Sequence, residues 1–145
     1  MNIKRVPKGF LIRLDQGDEL FSSLQLFADQ HHIQSGYVSG TGMVRELELG
    51  FFNSDMSEYE RTSFTEQFET LSLAGTIAEY QGSPIFRIHG VFGKRDLSTV
   101  GGLVTRAVTD MTMELFVSDF ETRIERALEE NSGLKLLNFD RHVES

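Results

Sequence analysis

The sequence predicts an α+β fold, with one principal helix followed by an antiparallel sheet. Three observations carry that expectation. One segment near the N-terminus has apolar residues at helical spacing. From Gly36 onward the pattern changes to alternating or apolar runs, and those runs are separated by Gly-rich or Asp-rich turns at hairpin spacing. A chain of 145 residues fits one domain around one hydrophobic core.

Taken in order, residues 1–8 (MNIKRVPK) are polar and basic and read as a short N-terminal tail. Phe10–Leu14 reads as a strand closed by the turn Asp15-Gln16-Gly17. Asp18 is placed to cap a helix, with Glu19 favourable at its positive end. Leu20, Leu24, Phe27, Ala28 and His31 then share one face, Phe21 widens it, and the helix is expected to end near His32. Tyr37-Val38 and Met43–Phe52 read as strands separated by Ser39-Gly40-Thr41-Gly42, with a turn at Asn53–Ser57. Tyr59–Phe64 reads as a polar strand, and a separate segment carries Phe68, Leu71, Leu73, Ala74 and Ile77 as far as the turn Gln81–Pro84. Ile85–Phe92, Thr99–Val108 and Met113–Val117 complete the strands.

The C-terminal part supports two readings. Ser118-Asp119-Phe120-Glu121 has the spacing of a capping box, with Phe120, Ile124, Ala127 and Leu128 on one helical face. The same residues also suit a strand followed by a short helical turn. Leu134, Leu136, Leu137 and Phe139 return to the core, and residues 140–145, with His142, form a second tail. The domain is therefore expected over 9–139.

Composition excludes several functions. The chain has 14 basic and 22 acidic residues, a net charge of −8, so binding a phosphate backbone requires a local basic patch. With no cysteine there is no disulfide, thiolate ligand or Cys nucleophile. Phe supplies 12 of the aromatics and Trp none, which favours packing over base stacking. No apolar run approaches the roughly 20 residues of a membrane span, and the N-terminus lacks a signal-peptide core. The expected location is cytoplasmic, with no membrane partner.

The chemistry-bearing stretch is PIFRIHGVFG, residues 84–93. Strand alternation puts Phe86, Ile88, Gly90 and Phe92 on a core face. Ile85, Arg87, His89 and Val91 lie on the other, facing solvent, a cavity or another subunit. Arg87 beside His89 suits a carboxylate or phosphate. Gly101-Gly102, expected in the neighbouring strand, marks a bulge or a close approach to a ligand or another chain. Glu69, Glu79 and Glu114 are candidate counter-charges for Arg87. His31 and His32, adjacent on a helix, diverge too far to share a metal. Ser39-Gly40-Thr41-Gly42 lacks the Lys of a phosphate-binding loop, and Ser39 lacks a His–Asp pair at motif spacing.

The stretches GFLIRLDQGDELFSSLQLFADQHHIQSGYVSGTGMVRELELGFFN, EQFETLSLAGTI, PIFRIHGVFG, VGGLVTRAV and SGLKLL resemble, in that order, the PPC (plants and prokaryotes conserved) domain, over about residues 9–137. The resemblance implies a bent antiparallel sheet, one principal helix, a homotrimer, and strand instead of helix over 120–128. It also implies comparison with three family features. The first is an AT-hook, whose Arg-Gly-Arg-Pro core this chain lacks; Lys4, Arg5 and Lys8 are its basic N-terminal residues and the candidate DNA contacts. The second is a partner-binding segment, matched here by Phe68, Glu69 and Leu71, with Glu66 and Gln67 in place of Gly and Arg. The third is a His-x-His plus Gly-Gly-His set suited to zinc. Here Arg87 and Leu103 replace two of the three imidazoles, so neither metal nor other cofactor is expected. The expectation is a non-enzymatic homotrimer binding a partner or a small anionic ligand through Arg87, His89, Gly101 and Gly102. The alternative is a DNA-associated regulator; an enzyme at the same pocket comes third.

Overall fold

The computed structural model describes residues 1–139, as eight strands and one helix. These are β1 (Asn2–Val6), β2 (Gly9–Asp15), α1 (Leu20–His31), β3 (Gly36–Asn53), β4 (Glu58–Tyr80), β5 (Ser83–Gly93), β6 (Thr99–Asp119), β7 (Glu125–Leu128) and β8 (Lys135–Asn138).

Residues 1–8 are a strand and its turn, in place of the expected tail. Ile3 pairs with Ile12 and Arg5 with Phe10. Ile3 packs on the core, and Pro7 sits in the two-residue turn, where its fixed φ is suited. Lys4 and Arg5, set between Ile3 and Val6, hid the strand.

Strands β3, β4 and β6 each run through a break expected from the sequence. At about 3.3 Å per residue the 23 residues of β4 would span about 76 Å if straight. A compact chain of this size has a radius of gyration of only about 15 Å, so such strands must bend. Bulges supply the bends: β3 shifts register between Gly40 and Gly42 and between Val44 and Glu46. β6 passes the expected Asp110 turn with Met111 at φ 66° and its side chain in solvent. Bent in this way, β3, β4, β5 and β6 pair in a closed ring, β6 meeting β5 through Thr99–Leu103 and β3 through Leu103–Asp119. Closure leaves those four strands few free edges. β2 and then β1 extend the sheet from β6, while β7 and β8 extend it from β4.

Glu19, not Asp18, caps α1. Its Oε1 accepts from the Phe21 and Ser22 amides, and its Oε2 from the Ala107 amide at 3.2 Å, which ties the helix start to β6. Asp18 is drawn back instead to the Asp15 amide. A 12-residue helix is marginal alone, so packing holds it. Leu20, Leu24, Phe27 and Ala28 are buried as expected, each large side chain contributing about 1.5–3 kcal/mol. His31 is exposed at its edge but rests against Phe10 and Phe27. His32 ends the helix in the left-handed conformation.

The C-terminal segment is not helical. Phe120–Ile124 is irregular, and β7 follows, pairing with β8 and meeting β4 in parallel at Glu79 and Glu125. This agrees with the strand reading over 125–128 only and overturns the capping-box helix. Asp119 Oδ1 accepts from the Glu121 amide, closing a turn that competes with a helix start. His142 and the expected second tail lie outside the described residues.

Candidate anion and assembly surface

The alternation expected in β5 holds: Ile88, Gly90 and Phe92 are buried, whereas His89 and Val91 are exposed. Paired residues on neighbouring strands share a face of the sheet, so register alone maps the surface around them. One row runs Lys4, Leu11, Phe116, Ser39, Ala74, His89, Leu103 across the outward face. The next row places Tyr37 beside Thr76 and Arg87. Leu11 is 49% exposed, Leu71 55% and Val91 41%, with Tyr37 exposed as well. A shallow depression of about 410 Å³ runs between Leu11, Tyr37, Leu71, Phe116 and Glu114.

Arg87 and His89 share this face but not an environment. His89 lies open to solvent, flanked by Ala74 and Leu103. Arg87 is half-buried under the β7–β8 hairpin, and its Nη2 donates to the Lys135 carbonyl at 3.1 Å. Arg126 reaches the same carbonyl with Nη1 at 2.8 Å and gives Nη2 to the Thr76 hydroxyl at 3.0 Å. Burial, and then the charge of Arg87, hold the Arg126 guanidinium below its ordinary pKa. The three expected counter-charges are elsewhere. Glu79 pairs with Arg123 at 3.0 Å, Glu114 lies opposite Arg13, and Glu69 is exposed opposite Gly93.

The two glycines of the pair differ in their surroundings. The β5–β6 register is unbroken, so there is no bulge at Gly101-Gly102. A Cβ on Gly102 would stand 2.8 Å from the Gly50 carbonyl, so the close approach is to β3 of the same chain, where the ring closes. Gly102→Ala should therefore destabilise the domain by about 1–3 kcal/mol through backbone displacement, read as a lower denaturant midpoint. Gly101 faces outward beside Val91 and remains exposed.

Of the partner segment, Glu69 and Leu71 are exposed, but Phe68 is 1% exposed within the core. Of the candidate DNA contacts, Lys4, Arg5 and Lys8 are all exposed. Strand alternation sends Lys4 and Arg5 to opposite faces, and Arg5 lies over the Phe10 ring. Lys4 stands five strand spacings from His89 along the sheet, about 24 Å.

The structure adds Arg126 and Thr76, which the sequence reading missed. On a helix over 118–128, Arg126 would fall opposite the Phe120, Ile124, Ala127 and Leu128 face. In a strand, Ile124, Arg126 and Leu128 share a face, and an arginine among apolar residues is the signal that could have found it.

At positions 87, 89 and 103, side by side on adjacent strands, a three-histidine set would converge. Arg87 and Leu103 cannot ligate, so His89 alone does not fit a metal. No helix among the described residues is long and apolar enough to cross a membrane.

A closed, bent sheet of long strands with one capped helix, presenting an exposed mixed face, defines the class: a small β-rich domain with its free chemistry on the sheet surface. The sequence profile of the Plants and Prokaryotes Conserved (PCC) domain matches residues 1–121, and the chain belongs to that family. Arg126 lies beyond the matched stretch. No curated protein matches the sequence. Among solved structures, a Bacteroides thetaiotaomicron protein described as a candidate DNA-binding protein is 28% identical, with a TM-score of 0.93 over 97% of this chain and 98% of its own. A metal-containing protein from Archaeoglobus fulgidus is 30% identical, with a TM-score of 0.85 over 96% and 99%. A plant- and prokaryote-conserved protein from Pyrococcus horikoshii shares the fold at 22% identity, with a TM-score of 0.84 over 97% and 95%.

Proposed function

We propose that this chain is a non-catalytic binding domain that assembles as a homotrimer through its outward sheet face and takes up a small anionic ligand at Arg87. The observation that carries the reading is that face itself. Large apolar side chains at Leu11, Tyr37, Leu71 and Val91 stand in solvent on a sheet surface that also carries the partly covered Arg87. Covering the apolar groups favours association, and an oxoanion favours a guanidinium fork. Nucleophilic catalysis has no support on this face: Ser39 is two strand spacings, about 10 Å, from His89.

Calorimetric titration with inorganic phosphate is expected to show binding to the unaltered protein. Arg87→Gln should weaken it at least about tenfold, since a charged hydrogen bond contributes roughly 1.5–3 kcal/mol, while the assembly persists. Phosphate binding unchanged by Arg87→Gln would remove Arg87 from the site.

The second reading, a DNA-associated protein, draws on the Bacteroides thetaiotaomicron relative and on the exposed Lys4, Arg5 and Lys8. It requires duplex binding that falls steeply with salt and is lost when these three cations are neutralised.

A further inference from the structure

We propose that Arg87 and Arg126 together form an oxoanion seat, that the Lys135 carbonyl occupies it in the anion-free protein, and that strand β8 is its gate. The inference rests on the anionic-ligand reading above and extends it: Arg126 joins Arg87, in place of the His89, Gly101 and Gly102 expected from the sequence.

Two guanidinium groups converge on one neutral carbonyl oxygen, from Arg87 Nη2 at 3.1 Å and Arg126 Nη1 at 2.8 Å. Arg126 is only 7% exposed, and its Nε is buried without a hydrogen-bond partner. Among the described residues neither arginine forms an ion pair. Glu79 and Glu125, which face each other where β4 meets β7, are both engaged by Arg123, at 3.0 and 2.7 Å. A buried cation beside a like charge, with a carbonyl dipole in place of a counter-charge, is an unfavourable arrangement by itself. A group with two or three anionic oxygens corrects it. One oxygen takes the donors now given to Lys135, a second takes a further guanidinium N–H, and the two charges are neutralised. Carboxylates and phosphates share that chemistry.

The gate follows from how lightly β8 is held. It is four residues long and its sheet pairing is with the equally short β7 alone. β8 is an edge strand carrying exposed Leu136 and Leu137. Such a segment opens at small expense compared with the ring. When an oxoanion replaces the Lys135 carbonyl, both hydrogen bonds from arginine to β8 are released and β8 moves outward.

The test combines thermal unfolding and amide hydrogen exchange on the full chain, with sodium phosphate or sodium succinate compared against sodium chloride at matched ionic strength. At one hundred times Kd, either oxoanion class should raise the Tm of the unaltered protein by roughly 5–10 °C. The same addition should speed exchange at Lys135–Asn138. Arg126→Met and the charge-conserving Arg126→Lys should both abolish the Tm response. A response to phosphate alone identifies a phosphate ligand, and one to succinate alone a carboxylate; either supports the seat. A response lost in Arg87→Met but kept in both Arg126 variants overturns the seat and leaves the Arg87 reading standing. No response from the unaltered protein to either anion overturns both. Unchanged or slower exchange at Lys135–Asn138 on binding overturns the gate, and needs no variant that folds poorly.

Discussion

Truncating Phe68 to alanine is expected to lower the stability of the domain by about 3–5 kcal/mol, a large share of the roughly 5–15 kcal/mol that holds a domain of this size together. Phe68 is 1% exposed and meets Phe64 and Phe92 edge-to-face, at centroid distances of 5.7 and 6.4 Å. Removing the ring leaves a cavity between β4 and β5 that strands closed into a ring relax poorly to fill. Urea unfolding at fixed protein concentration reads the change as a lower midpoint at unchanged slope. Leu71→Ala, three residues on and exposed, should move stability by no more than about 0.5 kcal/mol at concentrations where the chain is monomeric. The contrast separates two roles within one short segment. A Phe68→Ala protein of undiminished stability that failed to bind a partner would show that Phe68 belongs to an interaction surface and not to the core.

Val91→Asp is expected to dissociate the assembly. Val91 points outward from β5 between the exposed Gly101 and the Leu71 bulge of β4, in the part of the face assigned to contact between copies. A carboxylate there must lose its water or hold the copies apart, and it repeats in each copy. Association should weaken by more than about 100-fold, which is about 2.7 kcal/mol. Far-UV circular dichroism should stay unchanged, because the substituted side chain faces solvent in the single chain. Sedimentation velocity at micromolar concentration distinguishes the outcomes, and a variant that kept the parent's mass would clear this face of any role in assembly.

How much of this was legible in the sequence differs from element to element. The helix face of Leu20, Leu24, Phe27 and Ala28 was readable because period 3.6 is a local property. So was the division of β5 into a core face and an Arg87/His89 face. The lengths of β3, β4 and β6 were not. Gly40, Gly42 and Asp110 are turn residues by composition, but here they lie in or beside bulges, and only the need to bend long strands around a small core decides that. β1 was missed because its pattern, Ile3 and Val6 among Lys4 and Arg5, is too short to stand out without its partner β2. Arg126 was missed because a capping-box spacing pointed to a helix, whereas pairing with β8 made a strand. Contacts across 48 residues, such as Arg87 to Lys135, leave no local trace. The cap differed by one residue: both Asp18 and Glu19 can accept from free helix amides, and the reach of Glu19 to Ala107 selects it.

Assembly through the outward face is read by native mass spectrometry of the unaltered 145-residue chain at near-neutral pH. The expected mass is that of three 16.4 kDa chains, with a retained small anion adding to it. A single-chain mass at micromolar concentration, under conditions that preserve a known trimeric standard, would rule out the trimer, leaving Leu11, Tyr37, Leu71 and Val91 exposed without a second copy to cover them.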